Sequence, residues 1–181
     1  GRRKLFLLGV GLFAVASATC GAAQDPGMLV ASRFLQGAGE AFAAPASLGL
    51  IAVLFPDPAE RVKALGMWGG IAGLGGTSGT VISGVLVNYT SWRWIFFVNV
   101  PVALIALIFT PRLVDESKMV REGGHPDYVG AATMTGGLIA VVDGLLQAAT
   151  HAWGSWQVLL PLLGGVALLG ATGFIEAHSH A

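Results

Sequence analysis

The stretch LVASRFLQGAGEAFAAP, residues 29–45, lies in an apolar run of membrane-spanning length, yet it carries Arg33, Gln36 and Glu40. On a helix of about 100° per residue, positions seven apart return to within about 20° of one another, so Arg33 and Glu40 share a face. Gln36 flanks that line, with Gly37 between. An arginine at the centre of a membrane helix costs roughly 2.5–3.5 kcal/mol on insertion scales, and a carboxylate is costly too. Such groups persist only where they face protein, water or a partner. That makes the stripe the first candidate for a functional site.

The rest of the chain agrees with lipid as its solvent. Of 181 residues, 54% are apolar and 11% charged, less than half the usual charged share of about a quarter. A soluble domain cannot be covered with so few charges. Ten basic residues balance ten acidic ones, so no basic excess argues for nucleic acid. The single cysteine, Cys20, excludes an internal disulfide or a multi-cysteine metal site and reads as a small buried apolar residue. His125, His151, His178 and His180 form no convincing metal set, and no cofactor motif is present.

Six apolar segments follow one another, roughly 5–23, 28–55, 65–87, 94–111, 128–150 and 156–175. Each approaches the ~20 residues that a helical span requires, which predicts an all-α polytopic membrane bundle. Breaker residues separate them: Gln24-Asp25-Pro26-Gly27, and the polar hairpin 88–93. Arg2, Arg3 and Lys4 before the first segment imitate a secretory signal, lipoprotein-type Cys20 included. Five further spans would remain after cleavage, which argues against that reading.

Basic residues set the expected orientation. Arg2, Arg3 and Lys4, then Arg61 and Lys63, then Arg112, Lys118 and Arg121 occupy alternate links, eight of the ten on one side. The positive-inside rule places that side, and both ends of the chain, in the cytoplasm. Arg93 lies at the edge of a span. Trp92, Trp94, Phe96 and Phe97, like Trp153 and Trp156, read as interfacial anchors. The sequence begins without Met and ends in mid-composition, as a portion of something longer would.

The third segment holds Gly66, Gly69, Gly70, Gly73, Gly75, Gly76, Gly79 and Gly84. Small residues four apart let helix backbones touch, so this span is expected to pack closely on several sides, or to slide and bend. Pro45 frees a backbone carbonyl and predicts a bend in the second span. Asp143, amid Ile139, Val142, Leu145 and Leu146, is a second intramembrane acid that faces the bundle or pairs across a helix interface.

These residues together resemble the major facilitator superfamily, in particular its fourteen-span drug:proton antiporters, along nearly the whole chain. Gly1-Arg2-Arg3-Lys4 looks like the tail of the cytoplasmic loop between helices two and three. Arg33, Gln36, Gly37 and Gly39 match the fourth-helix motif. Gly75, Gly79 and Gly84 resemble the fifth-helix antiporter motif, although Thr80 stands where that pattern has Pro and Ser83 where it has Gly. SWRWIFFVNVPVALIAL, residues 91–107, is similar to the opening of the sixth helix.

The resemblance implies a partial major facilitator fold. Residues 1–111 would form four spans of the first bundle, 112–127 a cytoplasmic link, and 128–181 two extra linker helices. It further implies proton-coupled efflux of drugs or metabolites by alternating access in the plasma membrane, and with it antibiotic resistance. The partners would be the bilayer, protons and a small lipophilic, often cationic substrate. The fourth-helix arginine would take part in coupling. A guanidinium stays protonated, a fixed charge that favours the ionised form of a nearby carboxylate. Arg33 is then the fixed charge and Glu40 a titrating partner or a cation-recognition site, with Asp143 a further candidate. Their offset along the axis is about 10 Å, so Arg33 and Glu40 need not touch. Proton and sodium coupling stay open, since the helix that usually holds the acidic coupling residue is absent. Two other readings compete: a truncated remnant that inserts but cannot transport, and a membrane-embedded enzyme. The second finds no HExxH, nucleophile elbow, phosphate loop or paired aspartates.

Overall fold

A computed structural model describes residues 1–116 and 128–179, with side chains through 116 and from 129 to 173. Lys118, Arg121, His125 and His180 lie outside the described residues, as does the His178 side chain. The described residues are helical, without strand, and six helices are long and apolar enough to cross a membrane. They fall into two compact units, divided after residue 120.

The first unit holds α1 (Arg2–Ala22), α2 (Pro26–Leu54), α3 (Pro58–Tyr89), α4 (Trp94–Phe97) and α5 (Asn99–Leu113). Both Asp-Pro pairs start helices. The Asp25 carboxylate accepts from the Met28 amide at 2.9 Å, and Asp57 accepts from the Glu60 amide at 3.3 Å. The following proline occupies the first turn, where its missing N–H leaves no bond unmade. The link expected at residues 56–64 is therefore largely helix, the first turns of α3. α2 runs unbroken through Pro45.

The pair α1–α2 forms the seam of this unit. Buried residues on α1 are small (Gly9, Ala14, Ala16, Ser17, Cys20, Gly21), and α2 answers with Ser32, Gln36, Gly39, Ala46 and Leu50 at steps of three, four and seven. In lipid, where no hydrophobic force drives helices together, such small faces gain contact through close approach. A Cβ on Gly9 would lie 2.6 Å from the Ala43 nitrogen and 2.7 Å from the Gly39 oxygen. One on Gly39 would lie 2.6 Å from the Phe13 nitrogen. Only glycine permits that contact.

Arginines tie the helix ends. Arg2 donates to the Gly49 carbonyl at 3.1 Å, Arg3 to Val114 at 3.0 Å and Arg93 to Gly21 at 2.9 Å. Each places a cation on carbonyl oxygens, the negative pole of peptide dipoles. Arg3 also approaches Glu116 at 3.9 Å.

The fourth span, Trp94–Leu113, is one run of membrane-crossing length, with a single turn residue, Val98, between α4 and α5 whose backbone stays in the right-handed helical region. Pro101 explains the turn, because it has no N–H for the Phe97 carbonyl and its ring crowds that carbonyl. Among the described residues the glycine-rich span buries none of its own, so the close packing expected of it would be made with helices outside them. A Cβ on any of its eight glycines would meet nothing within 4 Å.

The second unit pairs α6 (Tyr128–Gln147) with α7 (Trp156–Ser179). Gly165 sits against the Gly137 carbonyl and the Val141 nitrogen, each 2.7 Å from where a Cβ would stand. Gly144 faces Leu162 in the same way, and Thr172 donates to the Thr133 hydroxyl at 2.8 Å.

Candidate functional site

A polar cavity of about 240 Å³ opens beside the seam, lined by Phe13, Arg33, Gln36, Gly37, Glu40 and Asn99. Helical spacing had placed Arg33, Gln36 and Glu40 on one stripe, and all three reach this cavity from α2. Gly37 lines it as well, and a Cβ there would meet no neighbour within 4 Å. Gly39, two residues on, turns instead into the seam.

Arg33 and Gln36 are bonded to each other: an Arg33 guanidinium nitrogen donates to Gln36 Oε1 at 2.8 Å. Arg33 is solvent- or lipid-accessible while Gln36 is only 4% exposed. The guanidinium carbon lies 5.7 Å from the centre of the Phe96 ring, within the range of a cation–π contact. Glu40 is exposed at the same cavity, and among the described residues it forms no ion pair with Arg33. The two charges share a space rather than neutralising each other.

Behind Gln36 lies a network that the sequence did not announce. Its Nε2 donates to the Ser17 hydroxyl at 3.1 Å, and Cys20 Sγ donates to its Oε1 at 3.9 Å. Ser17 donates to the Phe96 carbonyl at 2.9 Å. Asn99 donates to Ser17 at 3.4 Å and to the Ile95 carbonyl at 3.2 Å. Cys20 is therefore buried, as its chemistry suggested, but also hydrogen-bonded. Asn99 had left a signal, an amide inside the apolar run FFVNVPVALIAL. Ser17 left none, since it sits among alanines like any small packing residue.

Two aromatic assignments shift. Trp92 and Trp94 are exposed, but Phe96 and Phe97 turn inward. Phe96 packs edge-to-face on Trp92 with ring centres 6.1 Å apart, and Phe97 does so on Trp94 at 5.9 Å. The Phe97 ring also covers Gly21, where a Cβ would lie 2.8 Å away. Arg93 stacks on Trp92 at 4.9 Å.

Asp143, on α6 in the second unit, is exposed in an open apolar groove with Leu138, Ile139, Val142 and Leu146. His151 contacts the Thr150 hydroxyl at 3.0 Å. Gly75, Gly79 and Gly84 lie on the bare surface of α3. Gly1, Arg2, Arg3 and Lys4 form the start of α1 and its cap.

The sequence profile of a family described as Major Facilitator Superfamily matches residues 1–127. Among curated proteins, the chain is 40% identical over 176 residues to the puromycin resistance protein pur8 of Streptomyces alboniger, covering 97% of this chain and 35% of that protein. It is 35% identical over 181 residues to the tetracenomycin C resistance and export protein of Streptomyces glaucescens, covering 100% and 33%. It is likewise 35% identical over 180 residues to the cephamycin export protein CmcT of Amycolatopsis lactamdurans, covering 98% and 37%. The chain thus spans about a third of the length of these relatives.

Proposed function

This chain belongs to the major facilitator superfamily, and from that premise we propose that it supplies part of the first helix bundle, with two linker helices, of a proton-coupled exporter of small lipophilic molecules. It is a multi-pass membrane chain of a transporter family, not an enzyme. The names of its relatives (puromycin resistance, tetracenomycin C resistance and export, cephamycin export) support a drug or antibiotic as cargo. The alternation of its basic links supports cytoplasmic ends in a bacterial plasma membrane.

The observation that carries the reading is the cavity shared by Arg33 and Glu40 in an otherwise apolar span. In this reading Arg33 is a permanent positive charge that does not move protons itself. Glu40, unpaired at the same cavity, accepts a proton when the cavity faces the acidic side and releases it on the other. A cationic substrate takes the proton's place at the carboxylate, so the two are carried in opposite directions. Alternating exposure would come from rocking of this bundle against an opposing one. Glycines at the seam keep α1 and α2 moving as one body, since bringing backbones into contact leaves no slack between them.

The test is proton-driven drug uptake into everted bacterial vesicles carrying the native gene product. Arg33→Ala should abolish coupling for every substrate. Glu40→Gln should reduce transport of cationic drugs and spare neutral ones. Unchanged transport of both kinds in Glu40→Gln would remove Glu40 from the mechanism.

A further inference from the structure

Ser17 is fully buried and Gln36 nearly so, which leaves their hydrogen bonds to the protein groups around them. The bonds must then be decided by what each neighbour can do. A hydroxyl has one proton and two lone pairs. Ser17 meets one group that can only accept, the Phe96 carbonyl, and two amide nitrogens that can only donate, those of Gln36 and Asn99. All three capacities are filled in the one way that works. With its proton on Phe96, Ser17 can offer Gln36 nothing but a lone pair, so Nε2 of Gln36 must face it.

That choice fixes the other end of the amide. Oε1 is turned toward Arg33, a side chain that can only donate, and receives its bond at 2.8 Å. The demand made by the carbonyl in α4 and the demand made by the cation on α2 agree. The result is a chain of single polarity running from Arg33 through Gln36 and Ser17 to Phe96, each bond strengthening the next. It crosses three helices, and it ends on α4, just ahead of the turn residue Val98.

We propose that Ser17 is a positioning residue for Arg33. By donating to the Phe96 carbonyl it holds the Gln36 amide with its oxygen outward, and so keeps the guanidinium against the Phe96 ring at the cavity. Asn99, donating to the same hydroxyl, reinforces that polarity. Without the Ser17 hydroxyl, Nε2 loses its buried acceptor and the seam no longer anchors that end of the Gln36 side chain. The side chain can then swing out of the seam, carrying Oε1 and the guanidinium bonded to it away from the Phe96 ring. The inference rests on bond geometry rather than on the transport reading, and either can fail without the other.

The experiment measures how fast phenylglyoxal modifies Arg33 in the lipid-reconstituted protein, read by mass spectrometry with Arg61 as internal reference. Ser17→Ala should raise the Arg33 rate about threefold or more relative to Arg61, in keeping with the coupling usual among members of one network. In a Gln36→Glu background the side chain has no N–H for the Ser17 hydroxyl to accept, and Ser17→Ala should change the rate by less than about 1.5-fold. Equal acceleration in both backgrounds would reduce Ser17 to a packing residue, and no acceleration in either would overturn the proposal outright. Should Ser17→Ala not fold, the wild-type protein decides. With 15N-labelled glutamine, the Gln36 NH2 protons should show contacts to Ser17 and slow exchange. Contacts to Arg33 instead would refute the assigned polarity.

Discussion

Gly9 and Gly39 leave no room for a methyl group between α1 and α2, whereas the eight glycines of α3 face open space. The second helix carries fewer glycines per turn than the third, yet it is the one that packs backbone to backbone. What separates the two is register. Gly9 and Gly39 arrive at the same height on facing helices, and each receives the other's backbone. The α3 glycines meet no such counterpart among the described residues. Glycine content therefore measures a capacity for close approach, and only a matched partner turns it into stability. The pair α6–α7 repeats the lesson with Gly137 and Gly165.

The sharpest way to break this contrast is Gly39→Val. The new side chain would drive into the α1 backbone, which cannot yield like a flexible side chain. We expect a loss of about 3 kcal/mol or more, at the upper end of overpacking effects. Cys20, fully buried at the same seam, provides the readout: a thiol-reactive dye followed during heating should label it at a lower temperature. Gly165→Ala applies the same logic to the second unit and should cost about 1–3 kcal/mol, read as the loss of α6–α7 association in detergent. Gln36→Leu keeps the volume of the seam but leaves polar partners on both sides unanswered. It should cost about 1–3 kcal/mol by the same Cys20 assay. Gly75→Ala is the control on α3. In this chain it should leave stability unchanged or raise it by up to about 1 kcal/mol, from helix propensity alone. A large loss there would mean that α3 already has a packed partner.

The same contrast explains what could be read in advance. Periodicity within one helix is local, so the stripe of Arg33, Gln36 and Glu40 was legible, as were the six spans; the start at Asp57 was not, because the charged first turns of α3 read as a link. Contacts between helices are not local. Ser17 and Asn99 stand 82 positions apart in sequence, and nothing in either segment names the other. Gly9 could not be told from Gly11, though one is locked in the seam and a Cβ on the other would touch nothing. The turn at Val98 is a middle case. The apolar run around it read as a single span and is one, but hydropathy ignores which amide is missing and so did not mark the local effect of Pro101.

Arg2, Arg3 and Arg93 fasten helix ends to backbone carbonyls, so each joint is made between one side chain and the main chain. Every residue type carries such a carbonyl, and the accepting half of each joint therefore survives any substitution that leaves the backbone in place. The donating half has no such latitude, because a lysine ammonium does not reproduce the planar fork of a guanidinium. These three fastenings can thus drift in sequence on one side only.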